Sequence, residues 1–231
     1  MKFSRNLICA TLIRRYYRFL ADVQLESGEI ITAHCPNSGS LMSVYKAKRS
    51  VLLSIHVNPK RKFKHTLELV NVNNVWVGIN TMLPNLLVEE PIKNGIITEL
   101  QGYTQIFREK NYGINSRIDL LLQNGEKKCF VEIKNVTLAI GTTALFPDSV
   151  TVRGKKHLIE LMNTVKEGHR SMMIFVVQRG DCNQVKPADE IDPEYGKSLR
   201  KASKKGVEII AYQADVNPEK IVLNNPLSVV L

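Results

Sequence analysis

Apolar and polar positions alternate with a period of two along much of the first eighty residues. In residues 19–25, Phe19, Ala21, Val23 and Leu25 fall on one side of an extended chain, the pattern of a half-buried strand. Ser27-Gly28 signals a turn, and residues 29–35 continue as a second strand. Residues 51–57 are apolar and β-rich. Residues 67–72 and 75–79 flank Asn73-Asn74, a pair that tolerates the positive φ of a tight hairpin turn. Five short strands in this length predict a small OB-like barrel, an architecture that often binds nucleic acid. Trp76 reads as a core residue of this barrel. His34-Cys35-Pro36-Asn37 reads as a strand end running into a turn, because no second ligand pair lies near it.

Near residue 83 the period lengthens. Leu86, Leu87, Ile92, Ile96, Ile97 and Leu100 recur at helical spacing. Strands return at 117–123 and 129–134. An amphipathic helix is predicted over 153–166, with Leu158, Leu161, Met162 and Val165 on one face. Residues 171–178 form an unbroken apolar run, as a strand buried on both faces does. A helix over 193–205, ended by Gly206, and a strand over 207–212 complete the series. Alternating helices and strands point to an α/β layer domain. The expected division is therefore 1–82 for the barrel and 83–231 for a mixed α/β domain.

Charge narrows the class of partner. The 231 residues hold 32 Lys and Arg against 22 Asp and Glu, a net charge of +10. Such a surface attracts polyanions: DNA, RNA or anionic membrane. No run reaches the roughly 20 apolar residues that cross a bilayer, and Arg14 and Arg15 interrupt the apolar N-terminal stretch before a signal-peptide core forms. The expectation is a cytoplasmic protein without a membrane partner. Cys9, Cys35, Cys129 and Cys182 are widely spaced with no C-x-x-C pair, which argues against structural zinc and a disulfide framework.

The stretch 117–134 adds chemistry. If Asn124-Gly125 forms the two central residues of a hairpin turn, Asp119 comes opposite Phe130. Opposed residues share a face, as do residues two apart on a strand, so Asp119, Phe130, Glu132 and Lys134 lie on one side. Two carboxylates suit a hard divalent cation, Mg or Mn. Such a cation polarises a phosphate and lowers the pKa of a water, and the lysine can hold that water or meet developing negative charge. An ordinary cross-strand charge cluster remains the alternative.

Several stretches together resemble one family. They are Arg18-Phe19-Leu20-Ala21-Asp22-Val23, His34-Cys35-Pro36-Asn37-Ser38-Gly39, Lys60-Arg61-Lys62, Asn80-Thr81, Ser116-Arg117-Ile118-Asp119, residues 131–138 and residues 146–161. The whole is similar to the sugar fermentation stimulation protein A (SfsA) family, although that family often shows Thr where Ser38 stands. The resemblance implies an OB-like domain followed by a PD-(D/E)XK nuclease-like domain, non-specific DNA binding, and a regulatory link to maltose metabolism. Asp119, Glu132 and Lys134 match the nuclease triad, and Glu99 is a candidate for a further metal-binding carboxylate. Three functions stay open: a metal-dependent DNA nuclease, a non-enzymatic DNA-binding regulator, and an RNA-processing enzyme.

The expected nucleic-acid contacts are Lys60, Arg61 and Lys62, which pack around Phe63, together with Arg14, Arg15 and Arg18. Arg153 and His157, one helical turn apart, join them. Asp148 is expected to cap the start of the helix that follows it.

Overall fold

A computed structural model describes residues 1–3, 6–114 and 116–231. The first strands are β1 (Ile8–Tyr16), β2 (Leu20–Leu25), β3 (Ile30–His34), β4 (Ser50–Ile55), β5 (His65–Val72) and β6 (Val75–Gly78). Among the described residues they hydrogen-bond in the order β3-β2-β1-β4-β5-β6, and a parallel pairing of His34 with Thr66 joins β3 to β5. The first five strands thus close on themselves as an OB-like barrel, with β6 appended to β5 as a hairpin. Ala10, Leu12, Val23, Val51, Leu53 and Leu67 fill its interior. Asn73 and Asn74, at φ 53° and 67°, make the turn expected of them.

β1 lies outside the strands that the alternation predicts. Its register shifts between Leu12 and Arg14, so the chain steps out of strict alternation where the arginines begin. The barrel is built on β1–β5, whereas the five strands expected from the pattern correspond to β2–β6.

Next come α1 (Pro84–Lys93), a 3-10 turn (Thr98–Leu100), β7 (Gln105–Tyr112), β8 (Ser116–Asn124), β9 (Lys127–Val136), β10 (Leu138–Ile140) and β11 (Thr143–Phe146). They are followed by α2 (Val152–Lys166), β12 (Arg170–Val177), β13 (Gln184–Pro187), α3 (Pro193–Lys204), β14 (Glu208–Val216) and β15 (Ile221–Val229). Among the described residues, β7–β15 form one nine-stranded mixed sheet in the order β10-β11-β13-β15-β14-β12-β9-β8-β7. One helix packs on one face and two on the other. Leu87, Val88 and Ile92 of α1 join Val131, Ile133, Met172 and Ile174. Leu158 and Leu161 of α2 and Leu199 of α3 join Met173, Phe175 and Val177. The alternation along β12 (Met172, Ile174 to one side, Met173, Phe175 to the other) explains why this strand reads as unbroken apolar sequence. No helix among the described residues is long and apolar enough to cross a membrane.

The barrel and the sheet share apolar contacts. Leu52 of β4, Leu69 of β5 and Trp76 of β6 belong to the cluster on the α1 side of the sheet, and the Gly78 amide donates to the Gln178 carbonyl at 2.8 Å.

Candidate active site

The β8–β9 hairpin turns one residue later than the Asn124-Gly125 reading. Asn124 pairs with Lys127, so Gly125 and Glu126 are the central residues. Gly125 alone supplies a positive φ, 58°, as in a turn with Gly at its first central position. Shifting the centre by one residue moves every opposite partner by two, so the faces are unchanged. Leu120 pairs with Val131, which sets Asp119 level with Glu132 instead of Phe130. The ladder then gives way: the Ile133 amide donates to Asp119 Oδ2 at 2.7 Å. That bond fixes the carboxylate against β9.

Glu132 is 2% exposed. Its Oε1 accepts from Lys134 Nζ at 2.6 Å and from His157 Nδ1. Arg153 Nε donates to His157 Nε2 at 3.3 Å, and Lys134 Nζ lies 3.2 Å from Nδ1, so the ring is engaged at both nitrogens. Burial works against the Glu132 charge, but the Lys134 ammonium and the His157 hydrogen bond outweigh it and hold this carboxyl below its usual range. Oε2 of the same carboxylate is buried with no hydrogen-bond partner.

Asp119 behaves in the opposite way. Burial, and then the charge of Glu132, push its carboxyl up to about 6, against the Ile133 amide and Lys134. Two carboxylates in a water-poor site are thus in conflict, and one has an oxygen without a partner. An all-oxygen donor set of this kind fits a hard divalent cation, with Asp119 and Glu132 as the residues to hold it.

Asp119, Lys134 and Arg153 line one side of a cleft of about 450 Å³ between barrel and sheet, with Glu132 and His157 buried next to them. Asn37, Ser38, Gly39 and Thr81 line it from the barrel; Asn85, Glu109, Asp119, Lys134, Asp148 and Arg153 line it from the α/β domain. Asp148 is not the cap of α2. Thr151 is, accepting from the Gly154 amide at 3.0 Å. Asp148 instead reaches across the cleft: its Oδ2 accepts from the Leu41 amide at 3.0 Å, and its carbonyl accepts from Ser40 Oγ at 2.6 Å. A Cβ on residue 39 would stand 2.5 Å from Asp148 Oδ2, so any larger residue would have to displace that carboxylate.

The structure brings Asp119, Glu132, Lys134, Arg153 and His157 together, but not Glu99. Glu99 lies in the 3-10 turn and accepts from the Tyr212 hydroxyl at 2.8 Å. Tyr212 packs in the cluster on the α1 side of the sheet, while His157 and its α2 neighbours lie on the other face. His157, expected as a nucleic-acid contact, is 5% exposed and its Nδ1 lies against Glu132. Arg15 is engaged within the protein. Its guanidinium donates to the carbonyls of Asn37, Gly39 and Ser40, and its Nε to that of Arg18, so it braces the cleft wall. Arg14 pairs with Asp22 at 2.7 Å. Lys60, Arg61 and Lys62 lie in the β4–β5 loop, with Lys62 Nζ 5.6 Å from the Phe63 ring centroid. Arg18 is exposed at the β1–β2 turn.

Two residues at the cleft escaped the sequence reading. Asn85 Nδ2 donates to Asp119 Oδ1 at 3.3 Å and to Glu109 Oε1 at 3.1 Å. Glu109 lies level with Asp119, since Arg108 and Lys110 pair with Leu120 and Ile118. Asn85 is 34 positions from Asp119, beyond any local spacing rule. Pro84-Asn85 just inside a helix start was the available signal.

Residues 13–79 match the SfsA N-terminal OB domain, and residues 82–220 match the Sugar fermentation stimulation protein RE domain. The chain belongs to the SfsA family. Among curated SfsA relatives, the sugar fermentation stimulation protein homolog of Geotalea uraniireducens (strain Rf4) is 58% identical over 229 residues, 99% of each chain. That of Geobacter sulfurreducens is 56% identical over 229 residues, 99% of this chain and 98% of its own. The structure of Pyrococcus furiosus SfsA in complex with Ca2+ is similar throughout, with a TM-score of 0.91 and 28% identity, covering 100% of this chain and 98% of that one. The SfsA fold, an OB-like barrel followed by a nuclease-like α/β domain, is therefore the fold of this chain.

Proposed function

We propose that this SfsA family member binds DNA without sequence preference and cleaves it through a divalent-cation-dependent phosphodiesterase site. The observation that carries the reading is half-buried Asp119 and buried Glu132 beside Lys134, with one Glu132 oxygen unpartnered, next to a cleft walled by both domains. The Pyrococcus furiosus relative was solved with Ca2+, a cation with the same appetite for oxygen ligands as Mg2+ or Mn2+.

When bound, the cation would polarise a phosphate and make water acidic at neutral pH. The protein's own residues do the rest. The Ile133 amide and Asn85 hold Asp119 in place. His157 fixes Glu132 from behind. Lys134, with its side chain 13% exposed, puts an ammonium beside Glu132 at the cleft surface, suited to orient a water or to stabilise charge that develops on phosphate. Arg153 at the rim and Lys60, Arg61 and Lys62 on the barrel supply backbone contacts, which carry affinity but no sequence information.

The relatives' name, sugar fermentation stimulation protein homolog, favours a second reading: a regulator that binds DNA through the same cleft without cutting it. Parallel cleavage and gel-shift series separate the two. With Mg2+ or Mn2+, wild type should cut single-stranded, duplex or branched DNA. Asp119→Ala, Glu132→Ala and Lys134→Ala should each abolish cutting, and Lys134→Ala should leave affinity nearly unchanged. Cutting that survives in all three variants would mark a contaminant. Metal-dependent binding with no cutting of any substrate would select the regulator.

A further inference from the structure

At the tip of the β1–β2 hairpin, aromatic rings stand in solvent. Tyr17 is 76% exposed and Phe19 51%. Their rings are stacked at 27° with centroids 6.2 Å apart, and Tyr16 meets Tyr17 edge-on at 5.5 Å. Tyr17 and Arg18 have φ of 49° and 64°, a region that bulky L residues rarely enter. Leaving apolar rings in water and straining the backbone beneath them both cost stability, and such costs concentrate at sites of function.

The tip is also fastened to the cleft. Arg15 Nε donates to the Arg18 carbonyl at 2.9 Å, while the same guanidinium holds the carbonyls of Asn37, Gly39 and Ser40. Arg18 Nη1 donates to the Ser38 carbonyl at 3.0 Å, and the Cys35 amide donates to the Phe19 carbonyl at 2.7 Å. Asn37, Ser38 and Gly39 are cleft wall. The rings are therefore held at a fixed offset from the cleft, on its barrel side.

We propose that Tyr17 and Phe19 form a stacking platform for unpaired nucleotide bases, so that the preferred partner is a single strand or a duplex with a single-stranded end. This deepens the DNA-binding reading above and rests on it. Along an unpaired strand the flat base faces are open; along a duplex, neighbouring pairs cover them and, away from its ends, leave the tip only backbone and groove edges. Stacking is tolerant of base identity, because every base has a π-face. The flanking charge suits a phosphate chain: Arg18 is exposed beside the rings, and the chain as a whole carries +10. The β1–β2 and β4–β5 connections are also where OB-like barrels commonly take oligonucleotides.

The test uses the full chain with a chelator present, so that cutting does not intervene. The probes are a fluorescein-labelled oligo-dT and a blunt duplex of equal length, at one salt concentration. The double variant Y17A/F19A should lose about 10-fold or more in affinity for oligo-dT and less than about twofold for the duplex. Tyr17→Phe, which keeps the ring, should bind oligo-dT as wild type does. Tyr17→Gly relieves the positive φ; it should lose oligo-dT affinity with no fall in thermal midpoint, which separates lost stacking from lost folding. Tyr17→Trp in a Trp76→Phe background should show indole fluorescence quenched by oligo-dT. Equal losses for both probes, or no loss, would overturn the platform while leaving the DNA-binding reading intact. A change of oligomeric state in Y17A/F19A with unaltered oligo-dT affinity would overturn it in favour of a second copy of this chain as the occupant. Wild type that binds neither probe, in chelator or with Ca2+ in its place, would overturn the DNA-binding reading and the platform with it.

Discussion

At the scale of single residues, the site rests on two carboxylates whose pKa values are driven apart. Asp119, pushed up to about 6 by burial and by the neighbouring Glu132 charge, binds a proton more readily in the folded chain than in the unfolded one. Its contribution thus favours folding below its unfolded pKa and is lost as pH rises through about 6. Without a cation, Asp119→Asn should raise the thermal midpoint more at pH 8 than at pH 4. A cation needs this group ionised, so the midpoint rise caused by Mn2+ should be full at pH 8 and fade as pH falls below about 6. Differential scanning fluorimetry across that range, with Asp119→Asn as the variant lacking the response, reads both outcomes. His157 acts one step further out. Removing the imidazole leaves Glu132 Oε1 with one donor fewer and a buried space behind it, so His157→Ala should weaken cation affinity by roughly 10- to 100-fold, as loss of an outer partner does. His157→Asn should recover part of it in a calorimetric titration. Asp119, Glu132 and Lys134 were legible from the sequence because the strand period is two and a hairpin preserves face parity even when its turn is misplaced by one residue. Glu109 was not, because it sits in a strand (QIFREKNY) with no apolar alternation to announce it.

At the scale of elements, the apolar run of β12 and the helical stripe of α2 were readable because both bury wide faces. β7, β10, β11 and β13 were not. They are edge-ward or short, between three and eight residues, and their pairing comes from partners far along the chain. The cleft wall shows the same dependence. Its loop after β3 takes most of its side-chain support from Arg15, whose guanidinium gathers three of its carbonyls together with that of Arg18. Hydrogen bonds from a charged group contribute about 1.5–3 kcal/mol where partners would be left unpaired. Arg15→Ala should cost about 2 kcal/mol in urea unfolding, and hydrogen exchange at residues 37–41 should quicken more than in the barrel strands. Arg15→Lys should rescue little, since an ammonium cannot span the same fork of acceptors.

For the whole molecule, the barrel and the sheet are not independent bodies. Leu52 and Leu69 of the barrel sit in the same apolar cluster as Leu87 of α1 and Ile174 of β12, and Asp148 and Gln178 tie the two across the cleft. Calorimetry should therefore show one unfolding transition whose calorimetric and van't Hoff enthalpies agree; two resolved transitions would contradict shared packing. The two-part organisation was legible as a change of hydrophobic period, but the cleft between the parts was not, because it is made of loops that no periodicity marks. The strand order has a bearing on manufacture as well. β15, the last strand made, lies between β13 and β14 in the middle of the sheet. Until β15 is in place, the sheet stands in two pieces, each with a bare edge ready to pair with whatever strand comes first. The strand acts as a keystone: until it enters that gap, both pieces offer unpaired edges to any other chain.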